Sequence, residues 1–353
     1  MNNLLVLYAE VMPYNVVAFE TFAATYPAYR LHVVCWDESK KITAYQHPKH
    51  EAITYYRQSD FSEKDLLALY DLLQPQLILV SGRMDKSYLT LAAYAKKKKC
   101  IVVGNSDNQF LGSLKNYISI FFSFYLYKRY FTHMQVPGSL QYRFCRLLGY
   151  QKEKIIFPQY TADVSLFEAA YLQTKTKRVY KKILFIARLE SVKGIALLLK
   201  VHRELYSSQQ ITTPLVVVGS GSLQQKLNLS YPGITYYPFM SQKEIVTLLD
   251  EIQYFCLPSL YEPWGVVLHE AAAAGLPIVT TSVCGAASTF VTPTANGFVI
   301  APNSEKELKE AMLAMHAKSN EEIKKMGEIS YQLSKKITPE MWGTSLMQLI
   351  EKR

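Results

Sequence analysis

Short apolar runs alternate with stretches of helical length along almost the whole chain, and this alternation narrows the possible folds more than any other feature. In the first half the apolar runs are Leu4 to Tyr8, Leu31 to Trp36, Leu77 to Val80, Ile101 to Val103 and Met134 to Val136, with helical segments such as Glu63 to Leu73 and Ser87 to Lys97 between them. The second half repeats the pattern with Ile183 to Ala187, Leu215 to Val218, Ile234 to Tyr237, Tyr254 to Leu257, Ile278 to Thr281 and Phe298 to Ile300. Strands separated by helices predict parallel sheets covered by helices on both faces. The expectation is an α/β chain of two Rossmann-like halves, with functional residues at the carboxyl ends of the strands, where such sheets open. At 353 residues the chain is long enough for both.

The most informative stretch runs from Leu257 to Thr281, LPSLYEPWGVVLHEAAAAGLPIVTT. It reads as a strand end, a polar loop, a helix opened by Gly265, and a further strand. Gly275 stands where a left-handed cap belongs and Pro277 follows as a stop signal. Glu262 lies in the loop and Glu270 eight positions later, about two turns inside the helix. Between them the amides of Gly265, Val266 and Val267 form an anion site at a helix N-terminus. Carboxylates that hold hydroxyls beside amides that hold phosphate suit a nucleotide-sugar.

In its full setting EPWGVVLHEAAAAGLPIV, this Glu-x7-Glu pair resembles the signature of the family 4 retaining glycosyltransferases. The resemblance covers essentially the second half and is weak over the first. It implies a GT-B fold, two Rossmann-like domains facing a central cleft where ligand binds, with a C-terminal helix crossing back to the first domain. The expected limits are 1–165 for an N-terminal acceptor-binding domain, 166–335 for a C-terminal nucleotide-sugar-binding domain, and 336–353 for the returning helix. The tract Phe157-Pro158 with Asp163 and Phe167 is similar to the family's interdomain junction.

Other tracts carry the same resemblance. Arg188-Leu-x-x-x-Lys193-Gly follows a strand, and an Arg and a Lys at such a turn can converge on one anion, the Arg as a planar fork and the Lys as a point charge. In the family these two grip the donor diphosphate. Val218-Gly219-Ser-Gly221-Ser-Leu223 is a glycine-rich turn after a strand; Gln224 replaces the third glycine of a dinucleotide fingerprint, which disfavours nicotinamide. It resembles the family's nucleotide-side loop, and by the same resemblance the backbone at Phe239 and Met240 faces the base. The resemblance further implies that Trp264, Gly265, Val266 and Val267 line the donor, that Glu262 approaches the sugar hydroxyls, and that Glu270 takes the ribose hydroxyls. The family is described as reacting by front-face displacement, the leaving diphosphate assisting deprotonation of the acceptor, with Glu262, Arg188 and Lys193 as the catalytic set. Cys284-Gly285-Ala286-Ala287 resembles a later loop of the family, in which members often carry an acid shortly after a pair of glycines, where this chain has Ser288 and Thr289.

On the acceptor side the polar strand ends Glu10 to Asn15 and Asn105 to Asn108 offer Asn15, Asn105 and Asp107; a competing reading is that they cap the following helices. Lys96 to Lys99 read as a solvated cationic helix end. Residues 117–131 hold eight aromatics interleaved with Lys128 and Arg129, and no acid falls between Asn108 and Lys152. Such a segment suits either a helix docked on a membrane surface or one half-buried against a sheet.

Composition bounds the rest. With 49% hydrophobic and 19% charged residues the chain reads as globular. Five scattered cysteines without C-x-x-C spacing fit a reducing cytoplasm and argue against structural zinc. Met1-Asn-Asn runs directly into Leu4 to Leu7 without a basic leader region, and the longest apolar-aromatic run falls short of the roughly 20 residues that span a bilayer. The expected location is cytoplasmic, either free or peripheral on the inner face of the membrane. A net charge of +10 raises nucleic-acid binding, but no nucleic-acid motif accompanies it, and none is expected as a partner. His269-Glu270 begins a zinc-protease motif that Ala273 breaks, and there is no Walker A, nucleophile elbow or Asp-x-Asp pair. No cofactor and no metal are expected, the nucleotide-sugar being a substrate. The expected partners are that donor (a UDP-sugar favoured) and a glycan or lipid-linked glycan acceptor of surface polysaccharide synthesis. The alternatives are a silent nucleotide-sugar-binding partner in an assembly complex and a GT-B epimerase or phosphorylase.

Overall fold

A computed structural model describes residues 2–37, 48–227 and 229–352. The backbone divides into two compact units, Met1–Thr161 with Ile337–Arg353, and Ala162–Lys336.

The first unit is built on seven strands, β1 (Asn2–Tyr8), β2 (Tyr29–Cys35), β3 (Ile53–Arg57), β4 (Leu77–Val80), β5 (Ile101–Asn105), β6 (His133–Gln135) and β7 (Ile155–Ile156). They pair in parallel in the order β3-β2-β1-β4-β5-β6-β7, so the order reverses between β1 and β4. The side-chain period of two feeds two cores. Leu4, Val6 and Tyr8 join one layer with Phe19, Phe22 and Trp342, while Leu5 and Leu7 join the other with Tyr88, Tyr127 and Phe131. The last helix, Pro339–Glu351, opens on a proline, whose missing amide costs nothing at that position. It packs on the helix Pro13–Thr25, and Gly343 permits the approach, because a Cβ there would meet Phe22 at 2.9 Å.

Two strands have no counterpart among the apolar runs. β3 is an edge strand whose residues are mostly part-exposed, and β7 is only two residues long. The helix Lys86–Lys97 is capped by Asp85, which also accepts from the Trp36 indole at 2.8 Å. Lys97, Lys98 and Lys99 are exposed at its end, as expected. Lys96 departs from that reading: its ammonium leans inward and donates to the Lys128 carbonyl, and burial lowers its pKa.

The second unit has six parallel strands, β8 (Lys182–Ile186), β9 (Leu215–Val218), β10 (Ile234–Tyr237), β11 (Ile252–Leu257), β12 (Ile278–Thr281) and β13 (Gly297–Ile300). Their order is β10-β9-β8-β11-β12-β13, reversing between β8 and β11. The helix Val266–Ala273 ends at Gly275, whose φ of 63° is the left-handed cap expected from sequence. Arg178, buried, donates to the carbonyls of Ala274 (3.0 Å) and Gly275 (3.3 Å) and so places a cation at the negative end of that helix. His269, buried on the same helix, stacks on Phe290 at 4.3 Å; it accepts from the Ala162 amide at 3.1 Å and meets the Ser334 carbonyl at 2.9 Å.

Candidate active site

In an open parallel sheet the crevice lies where the strand order reverses, beyond the carboxyl ends. In the second unit that point is flanked by the turn Ala187–Gly194 after β8 and the loop Pro258–Glu262 after β11. The two are packed against each other. Gly194 has φ 71°, and a Cβ there would lie 1.9 Å from the Pro258 carbonyl oxygen. The Leu260 amide donates to the Val192 carbonyl at 2.8 Å. Across this junction the Lys193 ammonium and the Glu262 carboxylate form an ion pair at 2.5 Å, their side chains only 14% and 11% exposed. Charges this far withdrawn from water depend on each other. Arg188 is exposed and makes no ion pair among the described residues.

The glycine-rich turn lies directly on the first of these loops. A Cβ at Gly219 would stand 1.9 Å from the Ala187 oxygen, and one at Gly221 2.7 Å from the Leu189 oxygen. Close backbone packing therefore accounts for both glycines. Glu190 fastens the contact, accepting from the Ser222 hydroxyl (2.5 Å) and amide (2.9 Å), and these two bonds hold its carboxyl below the ordinary range. The Leu223 amide donates to the Leu189 carbonyl at 3.0 Å, and the Phe239 amide to the Ser220 hydroxyl at 3.2 Å. Phe239 is exposed and Met240 half-buried beside it.

Gly265, at φ 92°, opens the helix Val266–Ala273, whose first amides have no intrahelical acceptor. The segment Cys284–Ala286 straps the loop in front of it, the Gly285 amide donating to the Glu262 carbonyl (3.2 Å) and the Ala286 amide to the Trp264 carbonyl (2.9 Å). Trp264 departs from its expected place on the donor side. Its indole is buried against Phe290, so any share it has in the site is through its backbone.

Glu270 accepts from the Gln242 side-chain amide at 2.6 Å. Burial pushes its carboxyl up to about 7, against the opposing effect of that hydrogen bond. A carboxyl whose folded pKa lies above its unfolded one stabilises the fold fully below the unfolded value and less as pH rises through the folded value. Glu270→Gln removes this titration. Its stability relative to the parent is expected to improve by about 1–3 kcal/mol between pH 5 and pH 8, measured by chemical denaturation; a difference flat with pH would refute the shift. A ligand whose hydroxyls donate to Glu270 favours the ionised form.

Arg188, Lys193, Gly219, Gly221, Leu223, Phe239, Met240, Glu262, Gly265, Val266 and Val267 thus all lie on loops or a helix start at the carboxyl ends of one sheet, and Glu270 lies within the helix that follows Gly265. Glu190 and Gln242 join them without any mark in the sequence; their partners lie 32 and 28 residues away, and no local pattern points to them. In the first unit Asn15 is buried and accepts from the Met12 amide at 3.0 Å, the helix-start role. Asn105 and Asp107 are not caps, since the next helix is capped by Ser113. Asn105 donates to the Tyr8 hydroxyl at 2.7 Å, and Asp107 accepts from Tyr160 at 3.3 Å. Among the described residues no group of His, Cys, Asp or Glu is gathered for a metal, and no helix is long and apolar enough to cross a membrane.

Comparison with known proteins bears on the same region. Residues 172–333 match the family described as "Glycosyl transferases group 1", so the second unit carries a domain of that group. An uncharacterized glycosyltransferase of Methanocaldococcus jannaschii, MJ1607, is 33% identical over 111 residues, 30% of this chain and 28% of that protein. The poly(glycerol-phosphate) alpha-glucosyltransferase of Bacillus subtilis is 27% identical over 226 residues, 59% of this chain and 31% of its own length. The chain therefore spans under a third of the length of these relatives. The crystal structure of Anabaena Alr3699/HepE in complex with UDP superposes with a TM-score of 0.76 over 100% of both chains at 15% identity. The shared fold is the pair of parallel-sheet Rossmann-like domains of GT-B glycosyltransferases.

Proposed function

We propose that the protein is a retaining glycosyltransferase that moves a sugar from a nucleoside-diphosphate donor, a UDP-sugar in the first instance, to a glycan or lipid-linked glycan acceptor of surface polysaccharide synthesis. The observation that carries the reading is the Lys193–Glu262 pair at the strand-order reversal of the second unit, framed by Arg188, the glycine-rich turn and the start of the helix bearing Glu270. The UDP in the Anabaena structure supports the choice of donor.

In this reading Arg188 and Lys193 take the diphosphate, and the amides of Gly265, Val266 and Val267 face the charge that grows on it. Glu262 holds sugar hydroxyls and Glu270 the ribose. The bond from the anomeric carbon to the diphosphate oxygen breaks as the acceptor oxygen bonds that carbon on the same face. The acceptor proton passes to the departing diphosphate, and no metal is needed to balance the step. On the acceptor side Asn105 and Asp107 are the candidates, and Asn15 supports the helix beside them.

The test is nucleoside-diphosphate release from UDP-, GDP- and ADP-sugars, with Glu262→Ala as control. Slow hydrolysis of one donor, lost in the variant, is the expected result. Tight binding without turnover under any acceptor would indicate a silent binding partner, and binding of none would end the proposal.

A further inference from the structure

Between β5 and β6 the first unit turns an apolar helix face outward. In the helix Leu114–Phe121 no residue is buried, and Leu114, Tyr117, Ile118 and Phe121, at the i, i+3, i+4, i+7 spacing that ordinarily faces a core, are all exposed, Phe121 at 82%. Phe124 and Tyr125 continue the surface. The segment is held from beneath, since Tyr127 and Phe131 are buried in the sheet core and the Arg83 guanidinium lies 4.1 Å above the Tyr127 ring. The two readings left open by the sequence are thus divided along one segment: Tyr127 and Phe131 serve the core, and the residues before them face outward. A contiguous apolar surface of this kind marks an interaction.

Cations border it. The contact of Lys96 with the Lys128 carbonyl brings the exposed Lys97, Lys98 and Lys99 alongside. The Lys128 ammonium sits against Gly149, 2.6 Å from where a Cβ would be, which adds the helix end carrying exposed Arg146. The segment from Asn108 to Lys152 itself contains no acid.

We propose that this face docks on an anionic lipid bilayer, the aromatic side chains entering the boundary between headgroups and acyl chains and the Lys/Arg border meeting lipid phosphates. Charge decides the occupant: a second copy would set the same cations against each other. A single-stranded nucleic acid would require a basic groove tracking its backbone, whereas the aromatics here stand on a helix face. The inference stands apart from the donor-site reading, because every residue in it belongs to the first unit.

The experiment is flotation of the full chain with vesicles of phosphatidylcholine and with vesicles of phosphatidylcholine and phosphatidylglycerol in equal parts. Binding is expected to the anionic vesicles only, and to fall with added salt. Phe121→Ser with Phe124→Ser should reduce it at least about tenfold. Combined Lys97→Gln, Lys98→Gln and Lys99→Gln should reduce it about a hundredfold, near fivefold per charge. All these positions are exposed, so melting and nucleotide binding, measured on the same variants, should not change. Equal binding to both vesicle types, or indifference to the lysine changes, would overturn the proposal. So would a dimer in solution that Phe121→Ser dissolves, or an oligonucleotide bound in place of lipid.

Discussion

Arg188→Ala is expected to lower turnover about 10²–10³-fold, the usual effect of losing one preorganised group that stabilises developing charge, while leaving stability within about 0.5 kcal/mol of the parent. Arg188 is exposed and forms no ion pair among the described residues, so the fold does not lean on its charge. Lys193→Ala should differ in kind. It removes one partner of a largely buried pair and leaves Glu262 without its counter-charge, so a comparable loss of turnover should come with a stability loss of about 2–3 kcal/mol. Steady-state rates and denaturant midpoints on both variants separate the two roles. If Arg188→Ala keeps full activity, the diphosphate is not gripped as proposed.

Gly194→Ala should destabilise the second unit by about 3 kcal/mol, a fall of about 6–12 °C in its melting transition. Two effects add: a side chain at φ 71°, which costs about 1 kcal/mol, and a Cβ placed 1.9 Å from the Pro258 carbonyl oxygen. Gly112→Ala isolates the first effect, because Gly112 has φ 68° with nothing within 4 Å of its Cβ position. It should cost only about 1 kcal/mol. Equal losses in the two variants, read by calorimetry, would show that the crowding at Gly194 relaxes without penalty.

The sheets are legible in the sequence because their strands are short apolar runs with clear breaks, and Leu77–Val80, Leu215–Val218, Ile234–Tyr237 and Ile278–Thr281 fall where the pattern puts them. β3 escapes because an edge strand with most of its residues partly wet lacks such a run, and β7 because two residues make no pattern. Glycine meaning is only partly legible. Gly219 and Gly221 read as places for a ligand to approach, yet backbone of a neighbouring loop already occupies that space. Trp264 sits in a motif and so reads as a site residue, although its indole belongs to the interior. Asn105 and Asp107 have the residue types of caps, but what they bond is Tyr8 and Tyr160, far along the chain. Partnerships of that range leave no trace in local spacing.

The imidazole of His269 has a consequence for modularity. One ring nitrogen meets the Ala162 amide and the other the Ser334 carbonyl, near the first and last residues of the second unit. The two ends of that 162–336 stretch are therefore held side by side by a single side chain. Chain segments with adjoining ends are those that tolerate insertion into a host or transfer between hosts. In chain order the second unit is thus a continuous insertion between two stretches of the first, with its own two ends adjoining.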